Sequence, residues 1–205
     1  MGRKKTAPQR PGQWPSAGEL RIIGGDWRSR KLAFPDAGGV RPTPARTRET
    51  LFNWLNFHLA GSHCLDLFAG SGALGLEALS RGAADVTLVD HTPALIKALK
   101  DNLQVLKSTR GQVVCQSADQ FLSQPASHAF DIIFMDPPFR EGWLEKLFPV
   151  IAKNGWVRPG GWIYVEHESE VTTPTVPASW QLHRQKIAGQ VAYNLFRVND
   201  KPADA

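Results

Sequence analysis

Downstream of His63, short apolar runs alternate with stretches whose apolar side chains recur every three or four positions. The short runs predict strands and the longer spacing predicts amphipathic helices. On that basis residues 64–68, 85–89, 112–116, 131–135 and 161–166 are strands, and 72–81, 92–106, 118–122 and 141–152 are helices. Repeated strand–helix units imply a parallel sheet with helices on both faces. Residues 181–187 and 191–198 read as two more strands joined at Ala188-Gly189-Gln190, an antiparallel pair that ends the sheet.

Upstream the texture differs. Residues 20–23 read as a strand, Gly24-Gly25-Asp26 as a turn, and 27–34 as a returning strand, together a small basic hairpin. Thr43-Pro44 resembles a helix start, with Thr43 as N-cap and Pro44 in the first helical position. The helix that follows, within 45–59, puts Leu51, Trp54, Leu55, His58 and Leu59 on one stripe. Arg46 and Arg48 fall near its first turn, where the helix dipole disfavours cations, which hints that they serve a partner. Residues 1–18 are basic, rich in Pro and Gly, and aperiodic, and read as a disordered tail. The chain therefore divides into a tail (1–18), an N-terminal hairpin-and-helix extension (19–60), an α/β domain (61–199) and a short tail (200–205).

Charge sharpens this division. Residues 1–50 hold eleven basic and four acidic side chains, whereas the remainder holds thirteen and fifteen. The basic field belongs to the N-terminal quarter and attracts polyanions, nucleic acid first among them. No apolar run reaches the length of about 18 residues that spans a bilayer, and the start has no apolar signal core, so cytoplasmic residence is expected. Two cysteines, Cys64 and Cys115, exclude a disulfide scaffold; both lie in strand-like runs and read as core residues. The histidines show no metal-ligand spacing, and His167-Glu168-Ser169-Glu170 reads as a solvated strand end.

The strand at 64–68 runs into Ala69-Gly70-Ser71-Gly72-Ala73-Leu74-Gly75 and then a helix, a G-x-G-x-x-G pattern in strand–turn–helix context. Glycines let the backbone turn tightly and approach a ligand. Asp90 ends the next strand, where a carboxylate can accept both hydroxyls of a ribose. These features fit NAD or S-adenosylmethionine alike. Asp66, inside the first strand, favours the second: a buried carboxylate suits a cationic ligand and repels a pyrophosphate. Asp119, after the third strand, is positioned either to hydrogen-bond an adenine amino group or to sit at a helix N-terminus.

The strand at 131–135 empties into Asp136-Pro137-Pro138-Phe139 at its carboxyl end, where open α/β sheets bind ligands. Two prolines remove two N–H donors and leave carbonyls facing outward. A rigid carbonyl beside a carboxylate matches an exocyclic amino group, which offers two N–H donors. Phe139 supplies a face for base stacking, worth about 1–3 kcal/mol. Transfer from an activated methyl donor then needs mainly positioning.

These motifs resemble class I S-adenosylmethionine-dependent methyltransferases that act on amino groups. The chain is similar in particular to the bacterial RsmD family of small-subunit rRNA guanine-N2 methyltransferases. The resemblance rests on Arg21-Ile22-Ile23-Gly24-Gly25-Asp26-Trp27-Arg28-Ser29-Arg30-Lys31-Leu32 and Arg41-Pro42-Thr43, and on Arg48-Glu49-Thr50-Leu51-Phe52-Asn53-Trp54-Leu55. The glycine loop, Asp136-Pro137-Pro138-Phe139 and Ala188-Gly189-Gln190-Val191-Ala192-Tyr193 complete it. It implies a seven-stranded, mostly parallel Rossmann-like sheet, S-adenosylmethionine as cofactor, and a guanine of the 966 type in 16S rRNA of the small ribosomal subunit as substrate. Nothing in the sequence suggests an obligate dimer, so a monomer without an obligate protein partner is expected. Asp136, Pro137 and Phe139 would form the catalytic face, with Asp136 on the guanine amino group. Asp66, Phe68, Ala69, Gly70, Ser71, Gly72, Asp90, Ala118 and Asp119 would hold the cofactor. Arg28, Arg30, Lys31, Arg41, Arg46 and Arg48 would contact RNA phosphates, and Trp27 would pack under the hairpin. The target base would have to leave its stack to be reached.

Other readings fit less. A dehydrogenase leaves the Pro-Pro segment and basic N-terminus unexplained, and pyrimidine C5 methylation needs a nucleophilic cysteine near the site. A non-catalytic RNA-binding module would have lost Asp66, the glycines or Asp136, and all are present. DNA adenine-N6 methylation uses the same acceptor pair and is the alternative.

Overall fold

The structure, a computed structural model, describes residues 17–37, 42–171 and 175–200. Strands β1 (Ala17–Arg21) and β2 (Lys31–Pro35) pair antiparallel through a one-turn 3-10 helix at Gly25–Trp27. Helix α1 (Ala45–Trp54) leads to β3 (His63–Asp66), α2 (Gly75–Ser80), β4 (Asp85–Asp90), α3 (Pro93–Val105) and β5 (Gly111–Cys115). There follow α4 (Ala118–Leu122), β6 (Phe130–Met135), α5 (Trp143–Lys153), β7 (Val157–Glu168), β8 (Trp180–Ala188) and β9 (Val191–Val198). The large sheet has the order β5-β4-β3-β6-β7-β9-β8. Neighbours from β5 to β7 are parallel, and β9 runs antiparallel to both β7 and β8. Strand order reverses at β3, with β4 on one side and β6 on the other, so a crevice opens at their carboxyl ends.

Strand side chains alternate between faces, and β6, buried throughout, feeds both layers. Ile132 and Phe134 join a layer built from the hairpin, α1, α2 and α3, while Ile133 and Met135 join the layer of α4 and α5. The hairpin residues Leu20, Ile22, Leu32 and Phe34 lie in the same apolar cluster as Leu76 and Leu99, so the extension shares the core of the α/β domain. Of the expected disordered tail, residues 1–16 lie outside the described residues, while Ala17 and Gly18 begin β1. Among the described residues no helix is long and apolar enough to cross a membrane.

Three local readings change. The returning strand starts at Lys31 rather than Trp27, because Trp27 N–H donates to Ser80 Oγ (2.9 Å) and Ser29 takes a left-handed turn (φ 67°). Helix α1 ends at Trp54, and the apolar stripe continues through turns that still bury Leu55 and Leu59. The N-cap of α1 is Pro44, and the Thr43 hydroxyl points elsewhere.

An ion cluster fastens the extension to the sheet. Glu77 on α2 is fully buried and accepts from the Ile23 and Gly24 amides (2.9 and 2.8 Å), Arg48 Nη1 (3.0 Å) and Arg81 Nε (2.7 Å). Arg48 also donates to the carbonyls of Thr43 and Arg21, both at 3.0 Å. Its cationic position at the start of α1 is therefore answered from inside the protein. The expectation that Arg48 contacts RNA is overturned: its side chain is 4% exposed and engaged on every side.

Candidate active site

The crevice at the carboxyl ends of β3, β4 and β6 holds a cavity of about 570 Å³. Its lining includes Asp66, Phe68, Ala69, Gly70, Ser71, Asp90, Ala118, Asp136, Pro137 and Phe139, which the sequence had put forward as site residues.

Asp66 ends β3 and is 2% exposed. Its Oδ2 accepts from the Gly75 amide (2.9 Å) at the start of α2. Burial pushes its carboxyl up to about 7, against which the Gly75 hydrogen bond works, and the charges of Asp136 and Asp90 push it further up. A carboxylate held in that way lacks a cation, and an ammonium group in the cavity would supply one. Asp90 ends β4 and is held by two amides, Gly70 N–H on Oδ2 (2.9 Å) and Thr92 N–H on Oδ1 (2.7 Å). This fixes both oxygens at the cavity wall and leaves each a lone pair for a ribose hydroxyl.

The glycines divide the work. Gly70 (φ 50°) and Gly72 (φ 82°) take left-handed conformations that close the turn. Gly72 does not line the cavity; a Cβ there would meet Leu76 and Leu99 at 2.7 Å, so its part is to shape the loop. A Cβ on Gly75 would meet Leu88 Cδ2 at 2.4 Å, so this glycine lets α2 press against β4 beside Asp66.

Of its two readings, Asp119 takes the helix N-terminus, in the first turn of α4. It does not line the cavity; it accepts from Ser117 Oγ (2.5 Å), the Gln120 amide (3.0 Å) and Lys146 Nζ (2.6 Å). Lys146 and Ser117 hold its carboxyl down at about 2. It staples α4 to α5, and its neighbours Ser117 and Ala118 face the cavity instead.

Asp136 follows β6, and Phe139, 38% exposed, stands at the cavity mouth. Asp136 Oδ2 accepts from Thr43 Oγ1 (3.3 Å). A smaller cavity of about 240 Å³ adjoins the first, sharing Pro137, Pro138, Phe139 and Trp143, with Glu166 and His167 in its wall. The strand end at His167 is buried rather than solvated: its Nδ1–H donates to the Glu168 carbonyl and its Nε2 accepts from Asn194, both at 2.8 Å. Sequence reasoning missed Thr43, Trp143 and Glu166.

The N-terminal cations divide. Arg28 and Arg46 are exposed. Arg30 reaches the Val105 carbonyl (3.3 Å), and Lys31 pairs with Glu19 (3.1 Å). Arg41 lies outside the described residues. Trp27 packs against the core with Arg110 over its ring. Burial pushes the Cys64 thiol up to about 12, so it is no nucleophile. Cys115 is exposed, because β5 is the sheet edge and leaves it uncovered. Among the described residues no group of three or more potential ligands could hold a metal.

Residues 20–197 match the family described as "Conserved hypothetical protein 95". Ribosomal RNA small subunit methyltransferase D of Escherichia coli strain K12 is 52% identical over 181 residues, covering 88% of this chain and 91% of the relative. The chain belongs to the RsmD family. It is an S-adenosylmethionine-dependent methyltransferase. A solved structure titled putative methyltransferase yhhF, also from Escherichia coli, superposes with a TM-score of 0.85 at 50% identity, covering 90% of this chain and all of that one. The Thermus thermophilus 16S rRNA N2 G1207 methyltransferase, in complex with AdoMet and guanosine, gives a TM-score of 0.62 at 26% identity, over 96% of this chain and 53% of that one. The donor set fits the family's cofactor: a buried carboxylate for its ammonium, Asp90 for its ribose, and Ser117 and Ala118 beside the remaining space.

Proposed function

We propose that this enzyme methylates the exocyclic N2 amino group of a guanine in 16S rRNA of the small ribosomal subunit. Its relatives are named for small-subunit ribosomal RNA, and the Thermus neighbour for guanine N2. The observation that carries the reading is Asp136 in the cavity wall, with the rigid Pro137-Pro138 carbonyls beside it and Phe139 at the mouth.

S-adenosylmethionine supplies a methyl group already activated by its sulfonium. The chain supplies placement. Asp66 would hold the cofactor's ammonium and Asp90 its ribose. Asp136 and the proline carbonyls each accept an N–H of the guanine amino group, which draws its lone pair out of conjugation and towards the methyl carbon. Phe139 stacks on the base. The methylated nitrogen would carry a surplus proton, and the Asp136 carboxylate is placed to take it. Arg28 and Arg46 meet phosphates of the surrounding RNA.

The test is nucleoside mass analysis with isotope-labelled cofactor on small subunits from cells lacking the enzyme, on bare 16S rRNA and on duplex DNA. Labelled N2-methylguanosine from ribosomal RNA supports the proposal. Labelled N6-methyladenine from DNA would keep the chemistry and overturn the substrate. Asp136→Ala should abolish transfer and leave cofactor binding nearly intact; loss of both together would contradict the assigned roles.

A further inference from the structure

Behind Asp136 lies a second buried acid that the cofactor does not need. Glu166, in the middle of the sheet on β7, is 4% exposed. The Tyr164 hydroxyl donates to its Oε1 (2.8 Å). Met135 pairs with Val165 in the parallel register of β6 and β7, so Asp136 and Glu166 follow side by side, and the Thr43 hydroxyl donates to Asp136 Oδ2. Two buried carboxyl groups thus neighbour each other, and the hydroxyl that anchors one of them comes from the segment that links the hairpin to α1.

We propose that Glu166 is a positioning residue for methyl transfer: beside Asp136 it keeps the acid pair at a single negative charge, carried by Asp136, whose carboxylate Thr43 aims at the acceptor amino group. This rests on the assignment of Asp136 to the amino group. Two neighbouring buried carboxylates cannot both ionise cheaply, so one proton is retained between them. The surroundings decide which keeps it. The groups near Glu166 are Asp136 from the end of β6, Tyr164 and His167 on β7, Tyr193 opposite it on β9, Thr43, and Arg140, Glu145 and Glu168 on the wall of the adjoining cavity. Arg140, on the wall of the adjoining cavity, is a cation, but its side chain is exposed and pairs with Glu170, and among the described residues neither acid has an ion pair. Burial pushes Asp136 up, and it pushes Glu166 further up because the Asp136 charge adds to it. The proton therefore stays on Glu166, and Asp136 remains an acceptor for the amino N–H groups.

Kinetics on small subunits as a function of pH test the inference. In the wild type kcat falls on the alkaline side as Glu166 ionises and places a second charge against Asp136. In Glu166→Gln that alkaline fall disappears, because no second carboxyl is left to ionise. Thr43→Val lowers kcat about tenfold or more with a much smaller change in KM, and Thr43→Ser restores it. Cofactor affinity, measured by calorimetry, verifies that each variant is folded. Persistence of the alkaline fall in Glu166→Gln, or equal changes of kcat and KM in Thr43→Val, overturns the proposal. Nucleoside analysis of the same reactions keeps the two claims apart: a wild-type product other than N2-methylguanosine overturns the proposed function. The correct product with a persistent alkaline fall overturns this inference alone.

Discussion

A carboxylate as deeply buried as Asp66 destabilises the empty site and prepares the filled one. Its folded value near 7 lies above the ordinary 3.8, so the native state holds the proton more tightly than the unfolded chain. Native stability without ligand therefore falls as pH rises from about 4 to about 7. An ammonium ligand reverses the preference, because it stabilises the ionised form. Cofactor affinity should be greatest above pH 7 and weaken about tenfold for each unit of acidification below it. Asp66→Asn should bind the cofactor weakly at all pH values and flatten this dependence. Calorimetric titration across that range, in buffers of different ionisation enthalpy, would detect the released proton; a flat affinity in the wild type would refute the role. Asp66, Asp90 and Asp136 could be found in the sequence because each ends an apolar strand beside a motif. Thr43 and Glu166 could not be placed so. Thr43 before Pro44 has the local signature of an N-cap, and nothing local reports a carboxyl 93 residues away. Glu166 left only a trace, a charge at the end of an apolar run, with no motif to give it a partner.

The βα units were readable because each is specified locally, by apolar period and by turn glycines. The fastening of the hairpin was not, because it depends on side chains far apart in sequence. Glu77 lies 54 residues from Ile23 and 29 from Arg48. Every residue of α2 is buried, so the carboxylate between Leu76 and Ala78 is compatible only with a complete set of donors. Arg48→Ala removes one of these and leaves a desolvated charge. Glu77 keeps Arg81 and two amides, so the expected loss of stability is near the lower end for a broken buried pair, about 3 kcal/mol, read from chemical denaturation. A loss below about 0.5 kcal/mol would show that the cluster is not what fastens the extension. The hairpin turn, α1 and the Thr43 segment should loosen together, since Arg48 also ties down the Thr43 carbonyl. Activity should fall with stability, through displacement of Thr43 from Asp136.

The charge asymmetry of the chain survives folding, but it is carried by fewer side chains than a count suggests. Of the six cations expected to meet RNA, Arg48 is internal, Arg41 lies outside the described residues, and the exposed Lys31 and Arg30 are engaged with Glu19 and with the Val105 carbonyl of α3. Arg28, on the hairpin turn, and Arg46, in the first turn of α1, remain exposed. Arg46 lies three residues from Thr43, which touches Asp136, so a phosphate bound there would place its nucleotide near the mouth guarded by Phe139. Phosphate contacts release counterions, so their number appears in the salt dependence of binding rather than in affinity at one ionic strength. Arg28→Ala and Arg46→Ala should each weaken binding to small subunits and reduce the slope of log affinity against log salt by about 0.7. Lys31→Ala should change the slope less, because Glu19 already competes for its charge. Arg48→Ala, studied where it stays folded, should leave the slope unaltered. Equal slope changes for Arg28, Arg46 and Arg48 would mean that the substitutions act through folding, and that the RNA is held elsewhere on the surface.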